Sequence, residues 1–348
     1  GWIVPAQYYQ QVGPDGFKQK PIGAGPYKFV SFNGNDLELE AFTDYWRKTP
    51  SVKTLIMRGL PEGTTRVAAF QAGEADFIQS IPGELVETIR ADPRLTIAPV
   101  QSSPWWLEMI GLEKPESPFN KKQVREAVSL ALDRRALSDA ETAGLSKPFG
   151  NWILPEWPGA IEWPVFPHDP ARARQLLAEA GYPDGFDVEA LTPLPPFFSL
   201  GERVITQLRE VGIRTRLNQM ERAAFQTKTG EGPNAFSGFL LMNSAAPGDA
   251  ASWVRSYATC QGTSSRTCLP EIEEPFARFE QSVDPQERER ILNDIQRYML
   301  ENYIFVPVYR LGSPKGVGPR IANPWQEVFA SIPQYFFVGP YEDIRLKE

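Results

Sequence analysis

Cysteine and histidine are both scarce in this sequence, which limits the chemistry that it can support. The 348 residues include two cysteines, Cys260 and Cys268, and a single histidine, His168. A zinc site needs about four nitrogen or sulfur ligands, and a redox pair usually reads Cys-x-x-Cys, so we expect neither a metal nor a cofactor. The polar stretch YATCQGTSSRTC around the cysteines favours a disulfide, with two free buried thiols as the alternative. A disulfide would indicate an oxidising compartment.

Positive charge and long apolar runs are lacking as well. Lys and Arg number 36 against 43 Asp and Glu, and the net charge of −7 provides no basic field that would hold a nucleic acid. No apolar run in the sequence reaches the roughly 20 residues that cross a bilayer. The stretch GWIVPAQYYQQVG at the start has neither a basic region nor a cleavage site, so we expect any export signal to be absent from this chain.

Strand-like and helical patterns alternate along most of the chain and predict an α/β protein. Period-two alternation on both sides of residues 33–35 predicts a β-hairpin. Residues 54–81 and 186–220 each read as strand, helix and strand, which predicts two βαβ units. LTIAPV and WWLEMIGL predict two strands separated by a polar break at 102–104. A chain of this length exceeds one hydrophobic core, so we expect two lobes with two crossings between them.

Four stretches of the sequence occur in the order and spacing of a known family: GAGPYKFVSFNGNDLELEAFTDYW (23–46), RVAAFQAGEADFI (66–78), SPFNKKQVREAVSLALDRRAL (117–137) and HDPARARQLLAEAGYPDGFDVEAL (168–191). They resemble solute-binding protein family 5, the dipeptide, oligopeptide and nickel-type binding components of bacterial ABC importers. The resemblance covers residues from about 21 to 348. It implies a two-lobed periplasmic-binding-protein-like fold of type II, with mixed sheets flanked by helices.

The resemblance also implies how the chain is divided. Residues 1–100 and 308–348 would form the first lobe, and residues 101–307 the second. Family members carry a further segment before the Gly-x-Gly-Pro-Tyr stretch, so we expect this chain to lack roughly the first third and the first lobe to be incomplete. Dipeptide-binding members have a similar Cys-bridged loop, which supports a disulfide between Cys260 and Cys268.

The function implied by the resemblance is capture of a small solute between the two lobes and its delivery to a membrane permease. The solute would be a peptide, an opine or a sugar-like molecule. The protein would be non-enzymatic, monomeric when full length, and either periplasmic or anchored outside a Gram-positive cell, with no nucleic acid as partner. The alternative is a secreted glycoside hydrolase that places paired carboxylates in an aromatic-lined cleft.

Tryptophans supply the first group of candidate ligand-binding residues. Trp105 and Trp106 align where the family's chain enters the second lobe, and alternation along a strand predicts that at most one of them faces the ligand while the other enters the core. Glu108 shares a face with Trp106 and could take a cationic group, or it could be a solvated strand charge. Trp152 matches a loop near the cleft and could stack on the ligand, or it could pack on its own lobe.

The segment MNSAAPGDAASW supplies the second group of candidates. It matches the family's pocket floor, so Asn243, Ser244, Asp249 and Trp253 are expected ligand contacts, with Asp249 as a simple helix cap as the alternative. Many peptide-binding members have a second carboxylate two residues after the first. In this alignment that place falls on Ala251, which predicts weak binding of ordinary dipeptides unless another acid such as Glu108 substitutes. A shift of the alignment by two residues would instead return Asp249 to that place and restore peptide binding.

Overall fold

The chain divides into two compact units, which we call the first unit (1–100 with 313–348) and the second unit (101–312). The computed structural model describes residues 3–232, 235–244, 248–329 and 339–347. Both boundaries between the units fall inside long strands, and helices and strands alternate along the chain as predicted.

The strands are mostly short, apart from the two that contain the unit boundaries. In chain order they are β1 Tyr27–Asn33, β2 Asp36–Ala41, β3 Thr54–Arg58, β4 Phe77–Ile78, β5 Thr96–Met109, β6 Lys147–Pro148, β7 Phe186–Asp187, β8 Leu191–Pro193, β9 Ile213–Arg214, β10 Phe239–Asn243 and β11 Phe305–Val317. The boundaries lie within β5 and β11.

Most of the helices belong to the second unit. In chain order they are α1 Ala6–Gln19, α2 Gly63–Gln71, α3 Val86–Arg90, α4 Lys122–Ala131, α5 Arg134–Thr142, α6 Pro170–Glu179, α7 Phe198–Glu210, α8 Arg222–Thr229, α9 Ala250–Ala258, α10 Pro270–Gln281, α11 Pro285–Glu301 and α12 Trp325–Phe329. Asp169 caps the start of α6, since its carboxylate accepts a hydrogen bond from the Arg172 amide at 2.9 Å.

The predicted hairpin forms in the first unit. Strands β1 and β2 pair antiparallel, with Asn33 opposite Asp36, and β3 pairs antiparallel with β2. The turn contains Gly34 at a φ of 63°, a conformation that glycine adopts without steric cost. The alternating pattern and the turn residues together were therefore sufficient to predict this element.

The prediction of a βαβ unit over 54–81 is wrong, although the strand, the helix and the second strand are all present. β3 pairs with β2, whereas β4 pairs with the far end of β11, where Ile78 lies opposite Gly316. The two strands that flank α2 consequently belong to different sheets. Local patterns identify the elements, but residues distant in sequence decide the pairing.

The polar break predicted at 102–104 is also wrong, because β5 continues through it. Ser102 and Ser103 are buried within the strand, and the Ser102 hydroxyl donates to the Leu311 carbonyl oxygen at 3.3 Å. A buried serine is tolerated in a strand when a neighbouring strand supplies an acceptor. The break was predicted from residue type alone, without knowledge of that neighbour.

The second βαβ unit is confirmed in the second unit of the structure. β7 and β9 pair in parallel, and α7 connects them in sequence. β10 pairs antiparallel with β5 and in parallel with β8, so the sheet that they form is mixed. In the β5–β10 pair, Asn243 lies opposite Trp105. These two strands carry four of the eight candidate ligand-binding residues, namely Trp105, Trp106, Glu108 and Asn243.

Candidate functional site

Trp105 and Trp106 point to opposite faces of β5, yet both indole rings are 0% exposed. Trp105 packs edge-on against Phe197, with 4.8 Å between ring centroids. Trp106 packs into a separate group of aromatic rings on the other face. Other elements of the second unit cover each face of β5, so both rings are buried in this chain, and contact of one of them with a ligand stays a prediction.

Four aromatic side chains of the second unit pack around Trp106 and form with it what we call the aromatic cluster: Trp106, Trp152, Trp253, Tyr257 and Phe305. Trp152 lies 4.9 Å from Phe305, and Trp106 lies 5.4 Å from Tyr257, measured between centroids. Trp152 is 0% exposed and Trp253 is 2% exposed. The structure thus brings three of the candidate tryptophans together, namely Trp106, Trp152 and Trp253. Trp152 packs within its own unit of the chain, which is the alternative to a side chain that stacks on the ligand.

Glu108 is buried beside this cluster with 2% of its surface exposed, so the alternative of a solvated strand charge is wrong. One carboxylate oxygen accepts a hydrogen bond from Trp106 Nε1 at 2.7 Å. The other, Oε2, has no hydrogen-bond partner in the described part of the chain. Burial raises the pKa of Glu108 to about 7, while the Trp106 hydrogen bond and the charge of Arg266 oppose that rise. Its ionisation is consequently poised near neutral pH.

Arg266 is a buried residue of this region that the sequence did not reveal. It is 3% exposed and lies in the loop between the two cysteines, which are joined by the predicted disulfide. Burial lowers the pKa of Arg266, and the Glu108 carboxylate raises it. A single basic residue in a polar loop reads as a surface charge, so no sequence signal marked it.

We expect the disulfide to be present in protein made by an oxidising host. Alkylation of the folded protein under non-reducing conditions should add no mass, whereas alkylation after reduction and unfolding should add two groups, one each on Cys260 and Cys268. Intact mass spectrometry measures both. Labelling of both thiols in the folded, unreduced protein would contradict the disulfide.

The segment MNSAAPGDAASW (242–253), which matches the family's pocket floor, is divided between two elements. Asn243 ends β10, and Ser244 follows it and hydrogen-bonds to Tyr257 of the aromatic cluster. Asp249 caps α9, because its carboxylate accepts from the Ser252 amide at 2.7 Å while the Ser252 hydroxyl accepts from the Asp249 amide at 3.0 Å. Residues 245–247 lie outside the described residues. Asp249 is therefore a helix cap in this structure, and contact between Asp249 and a ligand stays a prediction.

Several buried donors of the second unit have no acceptor within the described residues. Among them are Trp105 Nε1, Asn243 Nδ2, Trp152 Nε1 and the Ser103 hydroxyl. Trp105 and Asn243 lie directly opposite each other on paired strands, so their side chains share one face of the sheet. Buried donors normally have partners, and donors of this kind can bind the oxygen atoms of a solute.

The described residues contain neither a cluster of metal ligands nor a helix that could cross a bilayer. Within residues 3–232, 235–244, 248–329 and 339–347, no group of three or more His, Cys, Asp or Glu side chains could hold a metal ion. The helices of those ranges also include none that is both long and apolar enough to span a bilayer.

An α/β chain that presents buried hydrogen-bond donors next to packed aromatic rings is consistent with a protein that binds solutes. Residues 3–265 match the family model described as bacterial extracellular solute-binding proteins, family 5 Middle. The match spans well over half of the chain, and the chain therefore belongs to this family. Proteins of this family bind solutes and are not enzymes, so the glycoside hydrolase alternative is set aside.

Curated relatives agree with this assignment. The glutathione-binding protein GsiB of Salmonella paratyphi A is 28% identical over 323 residues, which cover 88% of this chain and 62% of that protein. GsiB of Pectobacterium atrosepticum is 28% identical over 330 residues, which cover 89% of this chain and 63% of that protein. The chain thus spans less than two thirds of the length of these relatives.

Solved structures confirm the predicted fold. The ABC transporter substrate-binding protein CtaP from Listeria monocytogenes aligns with a TM-score of 0.82 at 20% identity, over 99% of this chain and 72% of that one. NikA from Brucella suis, in complex with Fe(III)-EDTA, aligns with a TM-score of 0.81 at 21% identity, over 94% of this chain and 69% of that one. MoaA, in complex with mannopinic acid, aligns with a TM-score of 0.78 at 23% identity, over 99% of this chain and 71% of that one.

Proposed function

We propose that this chain is part of an extracytoplasmic solute-binding protein that captures a small solute and delivers it to the permease of an ABC importer. The family match carries this proposal. We further propose that the protein works in the periplasm, or on the outer side of a Gram-positive membrane. Its partners are then one solute and one permease.

The solute that we propose is rich in hydrogen-bond acceptors. Trp105 Nε1 and Asn243 Nδ2 are buried donors at opposed positions of the β5–β10 pair, without an acceptor in the described residues. A carboxylate, amide or hydroxyl oxygen would satisfy such donors. The names of similar proteins point the same way, since GsiB is a glutathione-binding protein and MoaA was solved with mannopinic acid. Both of those molecules carry carboxylates.

We also propose that recognition does not depend on an ammonium group of the solute. The place of the second carboxylate of peptide binders is aligned with Ala251, as the sequence predicts. Glu108 is a poor substitute, because the Arg266 charge already interacts with it and because it is buried against Trp106. A cation approaching Glu108 would also be repelled by Arg266. A peptide, an opine or a sugar-like solute that is bound through its oxygen atoms therefore fits these residues better than a solute that is held by its ammonium group.

The test begins with native mass spectrometry of the full-length protein from its own host, to find a co-purified solute. Calorimetry then measures the affinity for that solute, for glutathione and for mannopinic acid. Trp105→Phe keeps the ring but removes the Nε1 donor, and it should weaken binding about 10-fold, the effect of one hydrogen bond to a charged oxygen.

Trp46→Phe is the matched control, because Trp46 is 80% exposed in the first unit. It should leave the affinity within about twofold of the parent. Equal affinities of the parent and Trp105→Phe would contradict the donor role of Trp105. Failure of the full-length protein to bind or co-purify any solute would contradict the proposed function itself.

A further inference from the structure

One face of β5 carries a row of buried polar atoms that have no hydrogen-bond partner within the described residues. In chain order they are Gln101 Oε1, the Ser103 hydroxyl and Trp105 Nε1. Residues two apart on a strand point to the same face, so these side chains lie side by side. Asn243 Nδ2 extends the row, because Asn243 lies opposite Trp105 on β10. We call these four residues of the second unit the polar row.

Ser102 and Trp106, which point to the opposite face of β5, both have partners inside the chain. The Ser102 hydroxyl donates to the Leu311 carbonyl oxygen at 3.3 Å, and Trp106 Nε1 donates to Glu108 at 2.7 Å. Folded proteins pair nearly all of their buried polar groups, because an unpaired group has lost its hydrogen bonds to water without replacement. Three unpaired groups in succession on one strand, continued onto the next strand, therefore indicate a surface that binds a polar molecule.

The hydrogen bond that Gln101 does make fixes the orientation of its amide. Nε2 donates to the Leu145 carbonyl oxygen at 2.8 Å, and a carbonyl oxygen can only accept, so Oε1 is the atom left for a ligand. The Leu145 carbonyl is held by a close approach to β11. A Cβ atom at Gly312 would lie 2.1 Å from that oxygen, and the Gly312 amide donates to the Ser146 hydroxyl at 3.0 Å. Gln101 therefore contributes an acceptor to the polar row.

The polar row changes from acceptor to donor along its length. Gln101 Oε1 accepts, the Ser103 hydroxyl can accept or donate, and Trp105 Nε1 and Asn243 Nδ2 donate. A strand advances about 3.3 Å per residue, so roughly 13 Å separates the Cα atoms of Gln101 and Trp105. Two donors close together match the two oxygen atoms of a carboxylate. The neutral acceptor at the other end matches a hydroxyl or an amide N–H.

We propose that the polar row binds an elongated organic acid, with its carboxylate at Trp105 and Asn243 and a hydroxyl or amide N–H at Gln101. Ser103 bonds the middle of the molecule. This inference rests on the proposed function, since it names the class of solute that the protein captures. An acid without donors along its chain leaves Gln101 Oε1 unsatisfied, and a site built around hydrogen bonds rejects an analogue that lacks them. Gln101 and Ser103 are therefore specificity-determining residues.

Calorimetry on the full-length protein compares probes that differ in one chemical feature. Glutathione, mannopinic acid and lactobionate are elongated acids that carry hydroxyl or amide donors. Decanoate is an acid of similar length without such donors, and lactitol is lactobionate with its carboxylate replaced by an alcohol. Decanoate and lactitol should each bind at least about 10-fold more weakly than the tightest of the three acids. The solute that co-purifies from the host should also be an acid with hydroxyl or amide donors.

Ser103→Ala is the decisive variant. It should weaken binding of the tightest of the three acids about fivefold, the effect of one neutral hydrogen bond. The Ser103 hydroxyl has no partner in the described chain, so its removal should leave the melting temperature of the solute-free protein unchanged or higher. A purely structural serine would show the opposite pattern, with lower stability and unchanged affinity.

Gln101→Met removes the acceptor at the far end of the polar row and should also weaken binding about fivefold. Gln281→Met is its control, because Gln281 is exposed at the end of α10, and it should leave the affinity within about twofold of the parent.

Three results would overturn the inference while leaving the proposed function intact. Decanoate could bind as tightly as the three acids, the co-purified solute could lack a carboxylate, or Ser103→Ala and Gln101→Met could both bind like the parent. A full-length protein that binds none of the probes and co-purifies with no solute would instead contradict the proposed function, and the inference with it.

Discussion

Replacement of Arg134 by Met should lower the free energy of unfolding by about 4 kcal/mol. The Arg134 guanidinium is 3% exposed and donates to the carbonyl oxygens of Ser129, Leu132, Phe166 and Pro307 and to the Ser129 hydroxyl. Burial lowers its pKa to about 10, so it remains charged at neutral pH. Met fills similar space but leaves these buried acceptors without a donor, and unsatisfied buried groups are costly.

The neighbouring residue provides the control for this change. Arg135 is largely exposed, and its ion pair with Asp139 spans 3.8 Å. Arg135→Met should therefore change the unfolding free energy by less than about 0.5 kcal/mol. Urea unfolding followed by tryptophan fluorescence measures both variants. If Arg134→Met is no less stable than Arg135→Met, the hydrogen bonds of Arg134 do not stabilise the second unit as we infer.

Substitution of Glu108 by Gln should become more stabilising as the pH rises. The pKa of Glu108 is about 7 in the folded protein, raised from 4.5. A raised carboxyl pKa means that the folded state favours the protonated form, so stability is retained at low pH and is lost as the pH rises toward the folded pKa. Between about pH 5 and about pH 8 the parent should lose about 2 to 3 kcal/mol relative to Glu108→Gln, which cannot ionise.

Urea unfolding of both proteins at the two pH values gives this difference directly. Glu113→Gln is the control, because Glu113 is exposed on the same unit, and it should change stability by less than about 0.5 kcal/mol at either pH. A stability difference between the parent and Glu108→Gln that does not depend on pH would show that Glu108 ionises as readily in the folded protein as in the unfolded chain.

Several residues that the sequence marked as candidates lie together in the structure, although the sequence did not describe what surrounds them. Trp152 and Trp253 were selected separately, and the structure packs both against Trp106. Glu108 was correctly placed on the same face as Trp106, where it accepts the indole hydrogen bond. Alternation along a strand fixes which residues share a face. It does not reveal what covers that face, and so it could not distinguish a solvated Glu108 from a buried one.

The sequence by itself determined the family, the α/β class, the hairpin at Gly34 and the disulfide between Cys260 and Cys268. These follow from local patterns, or from motifs that recur in order along the chain. The tertiary structure alone decided that β3 and β4 join different sheets, and that Arg266 and Glu108 are both buried. Both depend on contacts between residues far apart in sequence, whose packing and electrostatic energies no local pattern contains.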